Sequence, residues 1–163
     1  DMEWLGFDPK WGTVNMNLLL THVMEFKQKD PFPGSVELDF AGTISYFGAG
    51  LGTSFPSWKA VWSTNWDLGD FDLNARMRYI GEMDNRLSVE FPGETEPTGV
   101  NGIYYWDFSG GWQMTDNVEF RLGLNNAFDE DVQIYSPNVQ SGTDPSTYDV
   151  VGRRVFAQLR LRY

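Results

Sequence analysis

The feature that most restricts the fold of this chain is the alternation of apolar and polar residues with a period of two. It is clearest over residues 71–80, where the odd positions are apolar and the even positions include Asp72, Asn74, Arg76 and Arg78. Successive side chains of a β-strand point to opposite faces, so this spacing predicts a strand with one apolar face and one charged face.

Five other segments repeat this design, two of them strongly. We therefore predict six strands and no helix, with the strands at Val14–Phe26, Trp58–Trp66, Phe71–Ile80, Tyr104–Trp112, Val118–Asn125 and Val155–Tyr163. Hydrophobic residues make up 41% of the chain although its mean hydropathy is −0.39, as expected when apolar and polar residues alternate. The longest aliphatic run, Leu18–Leu20, is far shorter than the roughly 18 apolar residues of a membrane-spanning helix, which excludes a helical membrane protein.

The connections between the predicted strands alternate between short and long. The short ones are Asp67–Asp70 and Gln113–Asn117, whereas the stretches at 28–56, 83–101 and 128–150 are long and rich in Pro, Gly, Ser, Thr and acids. Short periplasmic turns and long extracellular loops are typical of outer-membrane barrels. The fold class that we predict is all-β, an antiparallel up-and-down transmembrane β-barrel segment.

Aromatic residues recur at a fixed spacing on the apolar side of three predicted strands. The pairs are eight residues apart and consist of Trp58 with Trp66, Phe71 with Tyr79, and Tyr104 with Trp112. Eight steps cover about 26 Å along a strand and about 20 Å along the membrane normal after tilting. The spacing therefore favours aromatic girdles at the two edges of an apolar band, although aromatic residues also favour strands in general.

In a membrane barrel the apolar face contacts lipid and the polar face lines the lumen. The residues that we expect to face the lumen are Asp72, Asn74, Arg76, Arg78, Asp107, Glu119, Arg121, Arg154, Arg160 and Arg162. A soluble β-sandwich would place the same charges in bulk solvent, so alternation alone leaves both architectures open.

Three sequence blocks together indicate a family. Along the chain, the first block runs from Trp62 to Gly81 and the second from Leu122 to Asp129. The third begins at Gly152-Arg153-Arg154 and alternates up to Tyr163. In this order the blocks resemble the TonB-dependent outer-membrane receptors, whose last strand begins with Gly-Arg-Arg and ends on an aromatic residue. Ala127 stands where that family more often has Leu.

The resemblance implies a 22-stranded barrel with an amino-terminal plug, which imports iron chelates, cobalamin or saccharides with energy from the TonB complex. Residues 1–163 would supply only the carboxy-terminal strands, without the plug and the earlier strands. The expected partners are therefore outer-membrane lipid, the rest of the barrel and plug, the TonB complex through that plug, and a small-molecule substrate. An isolated chain would have to cover its edge strands by oligomerisation or strand swapping.

The end of the chain carries a further implication of the resemblance. Leu159, Leu161 and Tyr163 match the positions that the barrel-assembly machinery reads in this family. Tyr163 is also explained as a girdle residue without any recognition role.

Composition excludes several other functions. The net charge of −11 opposes binding to nucleic acid, and the absence of cysteine excludes disulfides and thiolate sites. His22 is the only histidine and lies in a predicted strand without Ser/Asp context, so a catalytic triad is not expected. No phosphate-binding loop or zinc spacing is present, and we predict a protein that is not an enzyme and has no cofactor.

The long loops offer two weaker candidate sites. The loop over 129–150 is acidic and has no Lys or Arg, so its carboxylates could hold a cation; they are Asp129, Glu130, Asp131, Asp144 and Asp149. Loop aromatics could stack on sugars or aromatic chelators; they are Phe47, Phe55, Phe91 and Tyr135. A solvated acidic surface and ordinary loop packing are the simpler explanations.

Two alternative architectures make different structural predictions. A small self-contained barrel for adhesion or stability needs about eight strands, so two more would lie within residues 28–56. A soluble carbohydrate-binding β-sandwich would bury the leucines of the last two strands against a second sheet; these are Leu122, Leu124, Leu159 and Leu161.

Overall fold

The structure is a computed structural model that describes residues 11–29, 31–44, 54–86, 88, 93, 97–135 and 142–163. The described chain is all-β. Its strands are β1 (Thr13–His22), β2 (Lys27–Lys29), β3 (Glu37–Asp39), β4 (Thr43–Ile44), β5 (Ser54–Phe55), β6 (Trp58–Asp67), β7 (Phe71–Ile80), β8 (Met83–Asn85), β9 (Gly99–Val100), β10 (Ile103–Thr115), β11 (Val118–Asn125) and β12 (Arg154–Leu161).

The six long strands form one sheet in the order β1-β6-β7-β10-β11-β12, with every neighbouring pair antiparallel. Each long strand coincides with one of the six that alternation predicts. Their spatial order follows their order along the chain, which is the up-and-down arrangement that short turns and long loops require.

Two predicted strands extend past the observed ends, whereas β6 and β10 continue beyond the predicted ends, to Asp67 and Thr115. β1 ends at His22 rather than Phe26, because Phe26 turns into the loop and packs its ring on Phe55 at 4.6 Å. β12 ends at Leu161, and Tyr163 lies beyond it, fully exposed. The terminal aromatic residue is therefore outside the strand that we predicted it to close.

The turn between β6 and β7 shows why the short connections are tight. The Gly69 amide donates to Asp67 Oδ1 at 2.9 Å, and Gly69 has a φ of +83°, a conformation that glycine adopts without steric cost. The Leu68 amide donates to the Phe71 carbonyl at 2.8 Å and closes the hairpin.

The long connections contain short strands that the alternation did not predict. β2 pairs with β3, and a second small sheet has the order β5-β4-β8-β9, in which β4 and β8 are parallel. Strands of two or three residues are too short to show a period of two, although Pro33-Gly34 marks the turn between β2 and β3. Within the described residues, none of these strands joins the six-stranded sheet.

The buried core lies at the end of the sheet where the long connections leave it. Ile80 of β7 and Ile103 and Tyr105 of β10 contribute their side chains from the charged side of the sheet. The rest of the core comes from the connections and consists of Ile44, Met83, Val100, Tyr135 and Tyr148. The long connections therefore fold over the charged side of the sheet and leave its apolar side open.

The sheet has two free edges in the part of the chain that the structure describes. β1 and β12 each pair on one side only, and no closed barrel is found. The described residues contain no helix that is long and apolar enough to cross a membrane.

Candidate functional site: the two faces of the sheet

The sheet register separates the side chains into two sets, which we call the apolar face and the charged face. On the apolar face, Trp62 lies opposite Met77, and Met77 lies opposite Trp106 on the next strand. On the charged face, Arg78 lies opposite Tyr105. The register therefore carries the alternation of each strand across all six strands, with one irregularity between Gln113 and Thr115 at the turn end of β10.

Within the described residues, no layer covers the apolar face. Leu122 is 50% exposed, Leu159 61% and Val155 71%, although all three lie within the six-stranded sheet. Soluble monomeric proteins rarely expose a continuous apolar patch of more than a few hundred Å². Within the described residues, the uncovered apolar side chains of this face form the kind of patch that marks an interaction surface.

The six aromatic residues predicted as girdles form two rows on this face. Near the short turns, Phe71 stacks on Trp112 with ring centroids 5.8 Å apart, and Trp66 lies close by in β6. Near the long connections, Tyr79 stacks on Tyr104 at 4.6 Å, and Trp58 stacks on His22 at 4.0 Å. His22 is thus held by ring packing on Trp58.

The charged face carries ion pairs that cross the strands. Arg121 of β11 contacts Asp72 of β7 at 2.8 Å, although β10 lies between them. Gly111 of β10 occupies the position between the two side chains, and a Cβ there would lie 1.9 Å from Asp72 Oδ2. Glycine is required at 111 because the ion pair fills the space of a side chain.

Next to the Asp72–Arg121 ion pair, one carboxylate contacts three guanidinium groups. Glu119 lies 3.4 Å from Arg121, 3.0 Å from Arg160 and 3.8 Å from Arg162. The arrangement links β11 to the last strand at the end of the sheet where the short turns lie. Arginine suits such sharing because its guanidinium presents several donors in one plane.

A second network lies on the same face near the long connections. Arg154 binds Asp149 through two parallel hydrogen bonds of 2.7 and 2.8 Å. Arg78 lies 3.7 Å from Asp149 and 3.3 Å from Asp107, with its guanidinium 5.1 Å from the ring centre of Tyr105. The hydrogen bond from Arg154 is the main reason why the pKa of Asp149 is lowered, against the effect of burial.

Two of the family-like sequence blocks meet in space. Asn126 is fully buried with a φ of +48°, and its backbone amide donates a hydrogen bond of 2.9 Å to Asp107 Oδ1. Asp129 accepts from the Arg153 amide at 3.0 Å and lies 3.3 Å from the Arg153 guanidinium. These contacts close the last long connection, so both blocks have a structural role in starting β12.

All ten residues predicted to face the lumen belong to the charged face or continue it past the end of β12, as Arg162 does. Asn74 donates to Asn65 Oδ1 at 2.6 Å. Arg76 has no ion pair within the described residues. Leu159 and Leu161 lie on the apolar face, which leaves them available for either an assembly role or lipid contact.

The acidic loop does not gather its carboxylates into one site. Asp149 is bound to Arg154 and Asp129 to Arg153, while Asp144 accepts hydrogen bonds from Ser146 and Thr147 at 2.6–3.1 Å. Burial raises the pKa of Asp144, but these hydrogen bonds outweigh it and leave the pKa lowered. The described residues contain no group of acids or His suited to a metal ion.

The loop aromatics are also engaged in packing where they are described. Tyr135 belongs to the buried core, and Phe55 stacks on Phe26. Phe47 and Phe91 lie outside the described residues. Neither described ring is free to stack on a ligand.

Sequence reasoning missed the structural importance of Gly111, Asn126 and Tyr105. Gly111 could have been found, because it falls on the charged face at a position directly between Asp72 and Arg121. Tyr105 lies on the polar side of a predicted strand, and its hydroxyl accepts a hydrogen bond of 3.3 Å from the backbone amide of Asp149, 44 residues away. A contact of that separation leaves no mark in the local pattern.

Comparisons of the chain with protein-family models, with curated proteins and with solved structures returned no match. The geometry of the two faces is therefore the main basis for assigning a role.

Proposed function

We propose that this chain forms the carboxy-terminal strands of a bacterial outer-membrane β-barrel of the TonB-dependent receptor type, an importer rather than an enzyme. The observation that carries the proposal is the pair of opposite faces of the six-stranded sheet. One is apolar, uncovered and edged by two aromatic rows, and the other is charged and ion-paired. Lipid outside and a polar lumen inside account for both.

The exposed leucines support a lipid-facing surface over a β-sandwich. A sandwich requires Leu122, Leu124, Leu159 and Leu161 to be buried against a second sheet. Leu124 is half-buried, but the other three are 50–63% exposed. Full burial of such a side chain is worth about 1.5–3 kcal/mol in water, so leaving a row of them uncovered costs a soluble protein much of its stability. Contact with hydrocarbon removes that cost.

The arrangement of the connections supports the same orientation. The long connections fold over the charged side at one end of the sheet, where a receptor has its outward opening, and the opposite end carries tight turns. We infer that the end near Tyr79 and Tyr104 lies at the outer surface. The end near Phe71 and Trp112 then lies at the periplasmic surface.

The two edge strands support a larger assembly. Within the described residues, β1 and β12 each pair on one side only, and unpaired backbone groups are costly in a bilayer because no water is available to them. We propose that further strands of the same barrel pair with both edges, and that a plug fills the charged interior. In the absence of those strands, a second copy of this chain would take their place.

The transported substrate follows from the family resemblance and not from a site in the sheet. Iron chelates, cobalamin and saccharides are the candidate classes, with the TonB complex supplying energy through the plug. No cofactor is required for this role.

The first test is whether the chain needs a membrane. We expect it to be recovered in the outer-membrane fraction and to fold only with detergent, lipid or partner strands. A soluble monomer that unfolds cooperatively without them would contradict the membrane assignment.

The second test addresses transport. Disruption of the gene should abolish uptake of one of the three substrate classes to the same extent as loss of TonB. Unchanged uptake of all three would refute the importer while leaving the barrel intact.

A further inference from the structure

A cavity of about 380 Å³ opens beside the aromatic row near the long connections. It lies between β4, the start of β8 and the ends of β6 and β7. The residues that line this cavity include Ser57, Trp58, Tyr79, Glu82, Met83 and Asp84. Its volume is within the range of about 300–1,000 Å³ that is usual for small-molecule sites.

The walls of the cavity are fixed by backbone hydrogen bonds. The Gly81 amide donates to the Trp58 carbonyl at 2.9 Å, and the Asp84 amide donates to the Gly42 carbonyl at 2.9 Å. Gly42 has a φ of +75°, and a Cβ there would lie 2.8 Å from Ser57 Oγ. The cavity is therefore bounded by regular sheet contacts, and a side chain at 42 would intrude on its wall.

Among the described residues, the cavity carries negative charge and no ion-pair partner for it. Glu82 and Asp84 have no ion pair with any described residue, whereas Asp72, Glu119 and Asp149 on the charged face all have arginine partners. Within the described residues, neither lysine nor arginine lines the cavity. Two free carboxylates on one wall favour a cationic occupant.

The aromatic wall points to an organic cation rather than a metal ion. Trp58 and Tyr79 both line the cavity, and their stacking on His22 and Tyr104 holds the two rings in place. Ammonium groups are attracted to the faces of such rings, most strongly to Trp. Hard metal ions would instead need several converging oxygens, and no such group is present in the described chain.

We propose that this cavity binds a small organic ammonium group, with Glu82 and Asp84 neutralising its charge and Trp58 and Tyr79 packing against its carbon atoms. The group could belong to a free amine or to the amine headgroup of a lipid, since the cavity lies beside an aromatic row. The site is distinct from the charged face and does not depend on transport.

Calorimetric titration of the full chain in non-ionic detergent micelles tests the proposal, with tetramethylammonium and ethanolamine as probes. We expect saturable binding of at least one probe that weakens at least tenfold in Glu82→Gln/Asp84→Asn. Trp58→Leu should also weaken binding, without any change in net charge. The matched control is Glu130→Gln/Asp131→Asn, which removes two charges from exposed positions outside the cavity and should bind as the native chain does.

Vesicles distinguish the two sources of the group. A shift in Trp emission in bilayers that contain phosphatidylethanolamine, relative to phosphatidylglycerol bilayers, that is lost in Trp58→Leu assigns the cavity to a lipid headgroup. Binding of the free probes alone assigns it to a soluble amine. No binding of either kind, or binding that both double variants reduce equally, would overturn the proposal while leaving the membrane assignment standing.

Discussion

The two faces of the sheet share every strand, but they differ in whether their side chains find partners within the chain. On the charged face, Arg121 finds Asp72 across an intervening strand, and Arg154 finds Asp149 in a distant loop. On the apolar face, Leu122 and Leu159 have no covering layer. Within the described residues one face is completed by the chain itself, while the other depends on its surroundings.

The largest expected effect comes from placing a charge on the apolar face midway between the aromatic rows. Leu124→Arg should reduce the free energy of folding into lipid vesicles by about 2–4 kcal/mol, because hydrocarbon cannot solvate guanidinium. The control is Gln158→Arg, which adds the same group to an exposed position of the charged face. Equal losses in a denaturant titration of the two variants would erase the distinction between the faces.

The next effect tests the ion pair that crosses β10. Gly111→Ala should cost about 1–3 kcal/mol, because the added methyl group overlaps the space that Asp72 and Arg121 occupy. Gly110→Ala is the matched control on the opposite face, where the added carbon meets the tip of Leu73 at 3.2 Å and the Asp72 carbonyl at an ordinary contact distance of 3.6 Å. If the cost of Gly111→Ala were undiminished in an Asp72→Ala background, the ion pair would not be its cause.

A smaller effect should depend on pH. Since the pKa of Asp149 is lowered in the folded chain, its contribution to stability is present above its unfolded pKa of about 3.9 and is lost as the pH falls further. Asp149→Asn should therefore destabilise the chain at pH 7 and destabilise it less at pH 2.5. Asp131→Asn, at an exposed position, serves as the control. An equal loss for Asp149→Asn at both pH values would contradict a role for the charge.

The smallest effect concerns the aromatic row near the turns. A double-mutant cycle of Phe71→Leu and Trp112→Leu should give a coupling energy of about 0.5–1.5 kcal/mol, as expected for stacked rings 5.8 Å apart. The same cycle for Phe71→Leu with Tyr104→Leu, at opposite ends of the sheet, should give none. Coupling of equal size in both cycles would indicate a global change rather than ring contact.

The long strands were predictable because each spans eight or more residues, enough for alternation to identify both its position and its faces. Phe71–Ile80 is the clearest case, with predicted and observed bounds identical. The short strands were not predictable, since β4 and β5 have two residues each and form only through long-range pairing. The end of β1 was missed because Phe26 continues the apolar pattern while its ring packs in a loop.

The candidate site was likewise predictable within the long strands and not in the connections. The sequence placed the arginines and acids on one face, because the parity of a strand fixes that. It could not reveal that Asp149, in an acidic loop, is the partner of Arg154, because the connection folds back over the sheet. Partners within the sheet follow from register, whereas partners in loops follow only from the tertiary structure.

The most direct measurement uses the absence of cysteine from the chain. Leu122→Cys and Gln158→Cys would each carry a single spin label in lipid bilayers, one on the apolar face and one on the charged face. We expect oxygen, which concentrates in hydrocarbon, to relax the label at 122, and a water-soluble nickel chelate to relax the label at 158. Strong relaxation of the label at 122 by the nickel chelate, or protection of that label from both reagents, would contradict a lipid-facing sheet.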